Sequence, residues 1–176
     1  MPVEVNPLNY ASWAGAKRIL CVRLDTLGDV LMTTPAIRAL KGSSPGRDIT
    51  LLTSSSGAEA GRLAPDVDQV LVYDAPWMKA MASALTPQAD LKMVEALRHG
   101  AFDAAVIFTV YSQSALPAAM LCYLADIPQR LAHCRENPDC ILSIECQVRI
   151  VRIEPPNKDG FYGLGCEIND YRLSHA

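Results

Sequence analysis

The sequence has few aromatic residues, no surplus of positive charge and no long apolar run, and each lack closes off a class of function. Phe, Trp and Tyr make up 6% of the 176 residues, too few for a surface on which nucleic-acid bases stack. Against 19 Asp and Glu stand 16 Lys and Arg, for a formal charge of −3. A nucleic-acid binder needs a basic stripe, and this balance does not supply one. The most apolar stretch, Ala115 to Ala125, is broken by Pro117 and is shorter than the roughly 20 residues of a membrane span. Met1 to Lys17 carries Glu4, Asn6 and Asn9 where a secretory signal would have a basic region and an apolar core. The expectation is a soluble, cytoplasmic chain with no nucleic-acid partner and at most a peripheral contact with membrane.

Phosphate and metal signatures are missing too. There is no G-x-G-x-x-G and no Walker A lysine, so the two common nucleotide fingerprints are absent. The six cysteines are Cys21, Cys122, Cys134, Cys140, Cys146 and Cys166. None forms the close C-x₂₋₄-C pair that zinc sites use, so no metal and no cofactor is expected. Without a secretory signal they read as thiols rather than disulfides. Cys21 lies in an apolar strand-like run and Cys122 in an apolar helix-like run, so both read as small core residues.

What is present is enough apolar material for a core. Half the residues are apolar and 20% are charged, which excludes disorder as the main state and fits a single domain. Ile19 to Val22, Asp48 to Thr53, Gln69 to Tyr73 and Ala104 to Phe108 read as strands, and Arg130 to Cys134 as the start of a fifth. Between them Val30 to Leu40, Gly57 to Leu63, a segment capped by Thr86 with Pro87 at its first position, and Ser114 to Ala125 read as helices. The last is apolar nearly all round and is expected to be buried against a sheet. The strands are continuous apolar runs, as burial on both faces requires. The α/β alternation predicts a doubly wound parallel Rossmann-like sheet. The rhythm stops after about Asn137. Val148 to Ile153 reads as one more strand, Phe161 to Cys166 is interrupted by glycine, and the tail offers no fold.

In such sheets ligands bind beyond the carboxyl ends of the strands. The first strand ends in Val22-Arg23-Leu24-Asp25-Thr26-Leu27-Gly28-Asp29-Val30. Gly28 permits a tight turn, and Asp29 stands at the mouth of a helix. Two readings of Asp29 stay open here. It caps a helix that then runs through Pro35 and bends, or Thr34 is the cap, Pro35 the first helical residue, and Asp29 free in a loop. Asp25 reads as a solvated loop acid. Arg23 is a strand-end charge or a contact for an anion.

The segment KRILCVRLDTLGDVLMTTPAIRAL, from Lys17 to Leu40, resembles the opening of glycosyltransferase family 9, the ADP-heptose:lipopolysaccharide heptosyltransferases. The resemblance rests on Arg23, Gly28-Asp29 and Thr33-Thr34-Pro35. It continues in Pro65-Asp66-Val67-Asp68-Gln69-Val70 and Phe102-Asp103-Ala104-Ala105-Val106, and runs to about Asn137. It implies the N-terminal, acceptor-binding half of a GT-B enzyme over residues 1–137. Residues 138–176 would be an atypical tail with no donor domain, in a truncated or frame-altered member.

The implied reaction is an inverting, metal-independent transfer of heptose from ADP-heptose to the Kdo/heptose inner core of lipopolysaccharide. Its partners would be a lipid A/Kdo-type acceptor, met at the inner face of the inner membrane, and the nucleotide-sugar donor. By the same resemblance Asp29 is the catalytic base and Arg23 pairs with an acceptor carboxylate or phosphate. Gly28 lets backbone approach the sugar, Thr33 and Thr34 offer hydroxyls, and Ser112 and Gln113 face the cleft. Helix capping is the plainer role for the threonines and for the Ser112–Ser114 loop. The alternative function is a non-catalytic α/β binding or interaction module that associates through an uncovered sheet edge.

Overall fold

An apolar run with no polar position, such as Ile19 to Val22, can be a strand only where both faces are covered. The computed structural model shows how this is met; it describes residues 13, 15–78, 86–110, 112–133, 145–153 and 164–172. Five parallel strands form one sheet: β1 (Arg18–Arg23), β2 (Asp48–Thr53), β3 (Gln69–Val72), β4 (Ala104–Ile107) and β5 (Gln129–Ala132). Their order is β3-β2-β1-β4-β5, the doubly wound order, with the reversal between β1 and β4. Arg23 lies opposite Thr53 on β2, and Val22 opposite Ile107 on β4. The expected α/β class and Rossmann-like sheet are what the structure has.

Four helices join these strands: α1 (Leu27–Gly42), α2 (Ala58–Leu63), α3 (Pro87–His99) and α4 (Leu116–Leu124). The β1 side chains alternate between two cores. Ile19 and Cys21 pack with Val30 and Ile37 of α1 and Ala60 of α2. Leu20 and Val22 pack with Val94 and Leu97 of α3 and Ala118, Ala119 and Cys122 of α4. Each fully buried Leu or Ile contributes about 1.5–3 kcal/mol relative to exposure. The two-sided cover thus accounts for the apolar runs.

Helix α4 departs from expectation. Ala118, Ala119 and Cys122 are buried, but Met120, Tyr123 and Leu124 are 40–50% exposed. Its buried side is Leu121 among small residues, which let the helix lie close to the sheet, while Met120, Tyr123 and Leu124 face outward. Arg130 sits over the Tyr123 ring, 5.4 Å from its centroid, and covers part of that side.

A separate two-stranded antiparallel sheet pairs β6 (Glu145–Ile153) with β7 (Leu164–Arg172). The strand expected at Val148 to Ile153 is therefore longer. A partner strand follows where the glycines of Phe161 to Cys166 gave no strand signal. Cys134 and Cys140 lie outside the described residues.

Cys21 and Cys122 are both fully buried free thiols, in keeping with a core role. Burial pushes each thiol pKa up to about 12. The reactive species is the thiolate, so burial protects them twice, by access and by ionisation. Labelling of the native protein with a thiol reagent, read by mass spectrometry, should leave both unmodified until denaturant is added. Fast native labelling of either would contradict this core.

Candidate functional site

Strand β1 ends at Arg23, and the chain turns at once into α1. Thr26 is the N-cap, so Leu27, Gly28 and Asp29 form the first turn. Asp29 reaches back across that turn. Its Oδ2 accepts the Thr26 N–H at 3.1 Å and the Thr26 hydroxyl at 2.7 Å, and it satisfies a donor that the helix start would leave free. This carboxylate also suits the positive end of the helix dipole.

The helix runs unbroken through Pro35, which corrects the reading that begins it at Thr34. Pro35 has no N–H for the Leu31 carbonyl. The Thr34 hydroxyl takes that place, donating to Leu31 O at 2.8 Å. The neighbouring Thr33 hydroxyl donates to Asp29 O at 2.8 Å. Both threonine hydroxyls are therefore engaged with the helix's own carbonyls. Gly28 is also corrected. It stands in the helix with no positive φ, so no tight turn requires it there. A side chain at that point would meet nothing nearer than Thr26 Oγ1 at 4.0 Å.

Arg23 is placed quite differently from a strand-end cation open to an incoming anion. Its side chain is 7% exposed and lies between two carboxylates. Nη2 donates to Asp29 Oδ1 at 3.0 Å. Nε lies 3.0 Å from Asp25 Oδ2, without an N–H aligned on that oxygen. Asp25, expected to be solvated, is only 8% exposed because this guanidinium draws it in. Hydrogen bonds from Thr26, first its hydroxyl, together with Arg23 hold the Asp29 carboxyl below the ordinary carboxylate range, against the opposing effect of burial.

The other oxygen of Asp25 accepts a hydrogen bond from Gln113 Nε2. This bond bridges the loops after β1 and β4, across the crevice where the strand order reverses. Ser54, after β2, donates to the backbone carbonyl of Asp25 and fixes the loop from its other side. Gly57 is the glycine this packing needs. A Cβ there would sit 2.8 Å from Val30 Cγ2 and nearer still to Thr53 Oγ1.

A cavity of about 770 Å³ opens at this crevice, a size that fits a small-molecule site. Asp25, Thr26, Ser54, Asp74, Trp77 and Gln113 are among the residues that line it, with Ser112 also on the wall. Two of the site residues named from the sequence, Ser112 and Gln113, are thus on the cavity. Arg23 and Asp29 are joined behind Asp25 and beside Thr26, and Thr33 and Thr34 lie further along α1. Asp74 and Trp77 were not singled out from the sequence. They follow β3, and in a parallel sheet every such loop emerges at the same end. Among the described residues no group of three or more His, Cys, Asp or Glu is placed to hold a metal ion. No helix among them is long and apolar enough to cross a membrane.

No family model matches the sequence, and no curated protein matches it. Solved structures do. A family 9 glycosyl transferase from Veillonella parvula aligns at 21% identity and TM-score 0.50, over 66% of this chain and 32% of its own. E. coli ADP-heptose lps heptosyltransferase II aligns at 18% identity and TM-score 0.51, over 65% and 30%. The E. coli heptosyltransferase WaaC, solved with ADP-2-deoxy-2-fluoro heptose, aligns at 20% and 0.51, over 68% and 38%. These proteins share its fold. The chain spans about a third of the length of the structures it matches. They come from the same family that the sequence resembles.

Proposed function

We propose that this chain is the acceptor-binding part of a glycosyltransferase that moves heptose from ADP-heptose to a sugar hydroxyl of the lipopolysaccharide inner core, with inversion and without a metal. The observation that carries the reading is the cavity at the β1–β4 reversal with a fixed carboxylate at the adjoining helix start. The fold shared with three family 9 structures supports it. A sugar hydroxyl is a weak nucleophile, and a positioned carboxylate helps by taking its proton as the new bond forms. Asp29 is that base. Arg23 acts behind it, orienting the carboxylate rather than touching the acceptor. Ser112 and Gln113 line the acceptor side, and Gly28 leaves the backbone at the helix start open to approach. ADP-heptose belongs to the part of such a protein that this chain does not match.

The test is a pair of titrations on the 176-residue chain, followed by calorimetry. A Kdo-bearing lipid A acceptor should bind, and ADP-heptose should bind weakly or not at all. Tight ADP-heptose binding without acceptor binding would overturn the assignment. Binding of neither, with stable self-association in light scattering, would favour the interaction-module alternative.

A further inference from the structure

Asp25 touches both the cavity and the cation behind it. It lines the wall, its Oδ2 lies 3.0 Å from Arg23 Nε, and its other oxygen accepts from Gln113 Nε2. Arg23 in turn donates through Nη2 to Asp29 Oδ1 at 3.0 Å. Gln113, Asp25, Arg23 and Asp29 thus form an unbroken line of contacts from the loop after β4 to the start of α1. The middle of the line is shielded from water, with the Arg23 and Asp25 side chains 7% and 8% exposed. Asp74, the other carboxylate on the cavity wall, accepts the Ser55 N–H at 2.7 Å. The loops after β2 and β4 bring neutral groups to Asp25, the Ser54 hydroxyl and the Gln113 amide.

Charge decides what this line does. A guanidinium keeps its proton in proteins. When Asp29 takes a proton, it no longer balances Arg23. With Asp29 as the sole counter-ion, that step would strand a buried cation, which is costly. With Asp25 in place the cluster passes from a net −1 to neutral, and the guanidinium keeps a partner. Asp25 also repels a second negative charge at Asp29. Both effects favour a protonated Asp29 and oppose Thr26 and Arg23, which hold its carboxyl below the ordinary range. The pull has a limit. No Nε–H is aligned on Asp25, and Gln113 and Ser54 hold Asp25 from its other sides.

We propose that Asp25 is a positioning residue of this site: it is the counter-ion that lets Asp29 accept the acceptor's proton, and Gln113 sets how far it leans on Arg23. The proposal rests on the glycosyltransferase reading. There the proton leaves the acceptor hydroxyl for Asp29, the electron pair of that oxygen bonds the heptose carbon, and ADP departs. In this role Asp25 acts through Arg23 and neither gives nor takes a proton.

Carboxyl-carbon NMR on the full 176-residue chain tests it, with the Asp29 signal assigned by its loss in Asp29→Asn. At the pH where wild-type Asp29 is half protonated, Asp25→Asn should leave it at most about one-quarter protonated, roughly a threefold weaker proton affinity. A merely structural role predicts the reverse, because a loosened site returns Asp29 toward about 3.9 and raises its protonation. Gln113→Leu should raise Asp29 protonation, since Asp25 then leans on Arg23 alone. In an Asp25→Asn background the same Gln113 change should do nothing. That comparison is repeated at pH 7 through the Asp29 carboxyl chemical shift, and it decides the matter if a variant unfolds in acid. Unchanged or raised protonation of Asp29 in folded Asp25→Asn, or a Gln113→Leu effect that persists without the Asp25 charge, overturns the proposal. Neither readout needs turnover. If Asp29 responds as expected and the Kdo-bearing acceptor does not bind, the glycosyltransferase reading falls and the counter-ion role of Asp25 stands. If the acceptor binds and Asp29 does not respond, the counter-ion role falls and the glycosyltransferase reading stands.

Discussion

Replacing Arg23 by Met should destabilise the protein by about 3–5 kcal/mol, the cost of removing one partner from a buried ion pair. The side chains of Arg23 and Asp25 are 7% and 8% exposed. Without the guanidinium, Asp25 stays buried with its charge opposed only by the Gln113 amide. Asp29 would lose its Oδ1 partner but keep Thr26, and at 32% exposure it retains solvent. Most of the penalty therefore falls on Asp25. At about 2–4 °C per kcal/mol for a protein of this size, the midpoint of thermal unfolding should drop by roughly 6–20 °C. Circular dichroism is sufficient to read it.

Two further variants separate charge from packing. Arg23→Lys keeps the charge but has no fork to reach two carboxylates at once, so it should fall between wild type and Met. Adding Asp25→Asn to Arg23→Met removes the stranded charge and should recover a good part of the loss. A melt of Arg23→Met within a few degrees of wild type would mean that solvent reaches this cluster. The energetic argument for the site would then fail.

The fold was legible because its strands are buried on both faces. Ile19 to Val22 and Ala104 to Phe108 stand out as unbroken apolar runs, and the turns and helices between them fix a parallel sheet. The site was legible only in part. Gly28 and Pro35 both argue against a helix where α1 runs, and the Thr34 bond that repairs the Pro35 gap cannot be read from propensity. Arg23, Asp25 and Asp29 stood close together in sequence as three charges at a strand end. Charge spacing alone does not say that the cation would be buried between the acids. That follows from β1 ending inside the sheet with neighbours on both sides. Asp74 and Trp77 were missed for another reason. They lie about fifty residues from the Gly-Asp loop and join it only through the β2–β3 register, in which Thr53 pairs with Val72. The rule that parallel strands deliver their loops to one end would have put them on the list. The β6–β7 pairing was hidden by glycines that interrupt the apolar signal of the second strand.

Asp29→Asn should lower heptosyl transfer by about 10²–10⁴-fold, the usual contribution of a positioned general base, with a small drop in melting at neutral pH from the lost ion pair with Arg23. Thr26, the N-cap, is untouched, and the Asn amide oxygen can still accept the Thr26 N–H, while its NH₂ replaces the oxygen that pairs with Arg23. Transfer has to be followed in a protein with a donor half, for example this chain joined to the part of WaaC that it does not match.

Stability against pH gives an independent signature. The native Asp29 carboxyl is held below its ordinary value by Thr26 and Arg23, so the folded state binds that proton less readily than the unfolded chain. Its contribution is complete above the unfolded value of about 3.9 and is lost as pH falls through the lower folded value. Asn has no such acid limb, so the melting curves of wild type and variant should converge in acid. Lost transfer in a variant that still unfolds cooperatively, close to wild type, assigns Asp29 to proton removal. Retained transfer in a stable variant would leave Asp29 as a cap alone. The candidate base would then be one of the two carboxylates on the cavity wall, Asp25 or Asp74, and whichever of Asp25→Asn and Asp74→Asn loses turnover would identify it.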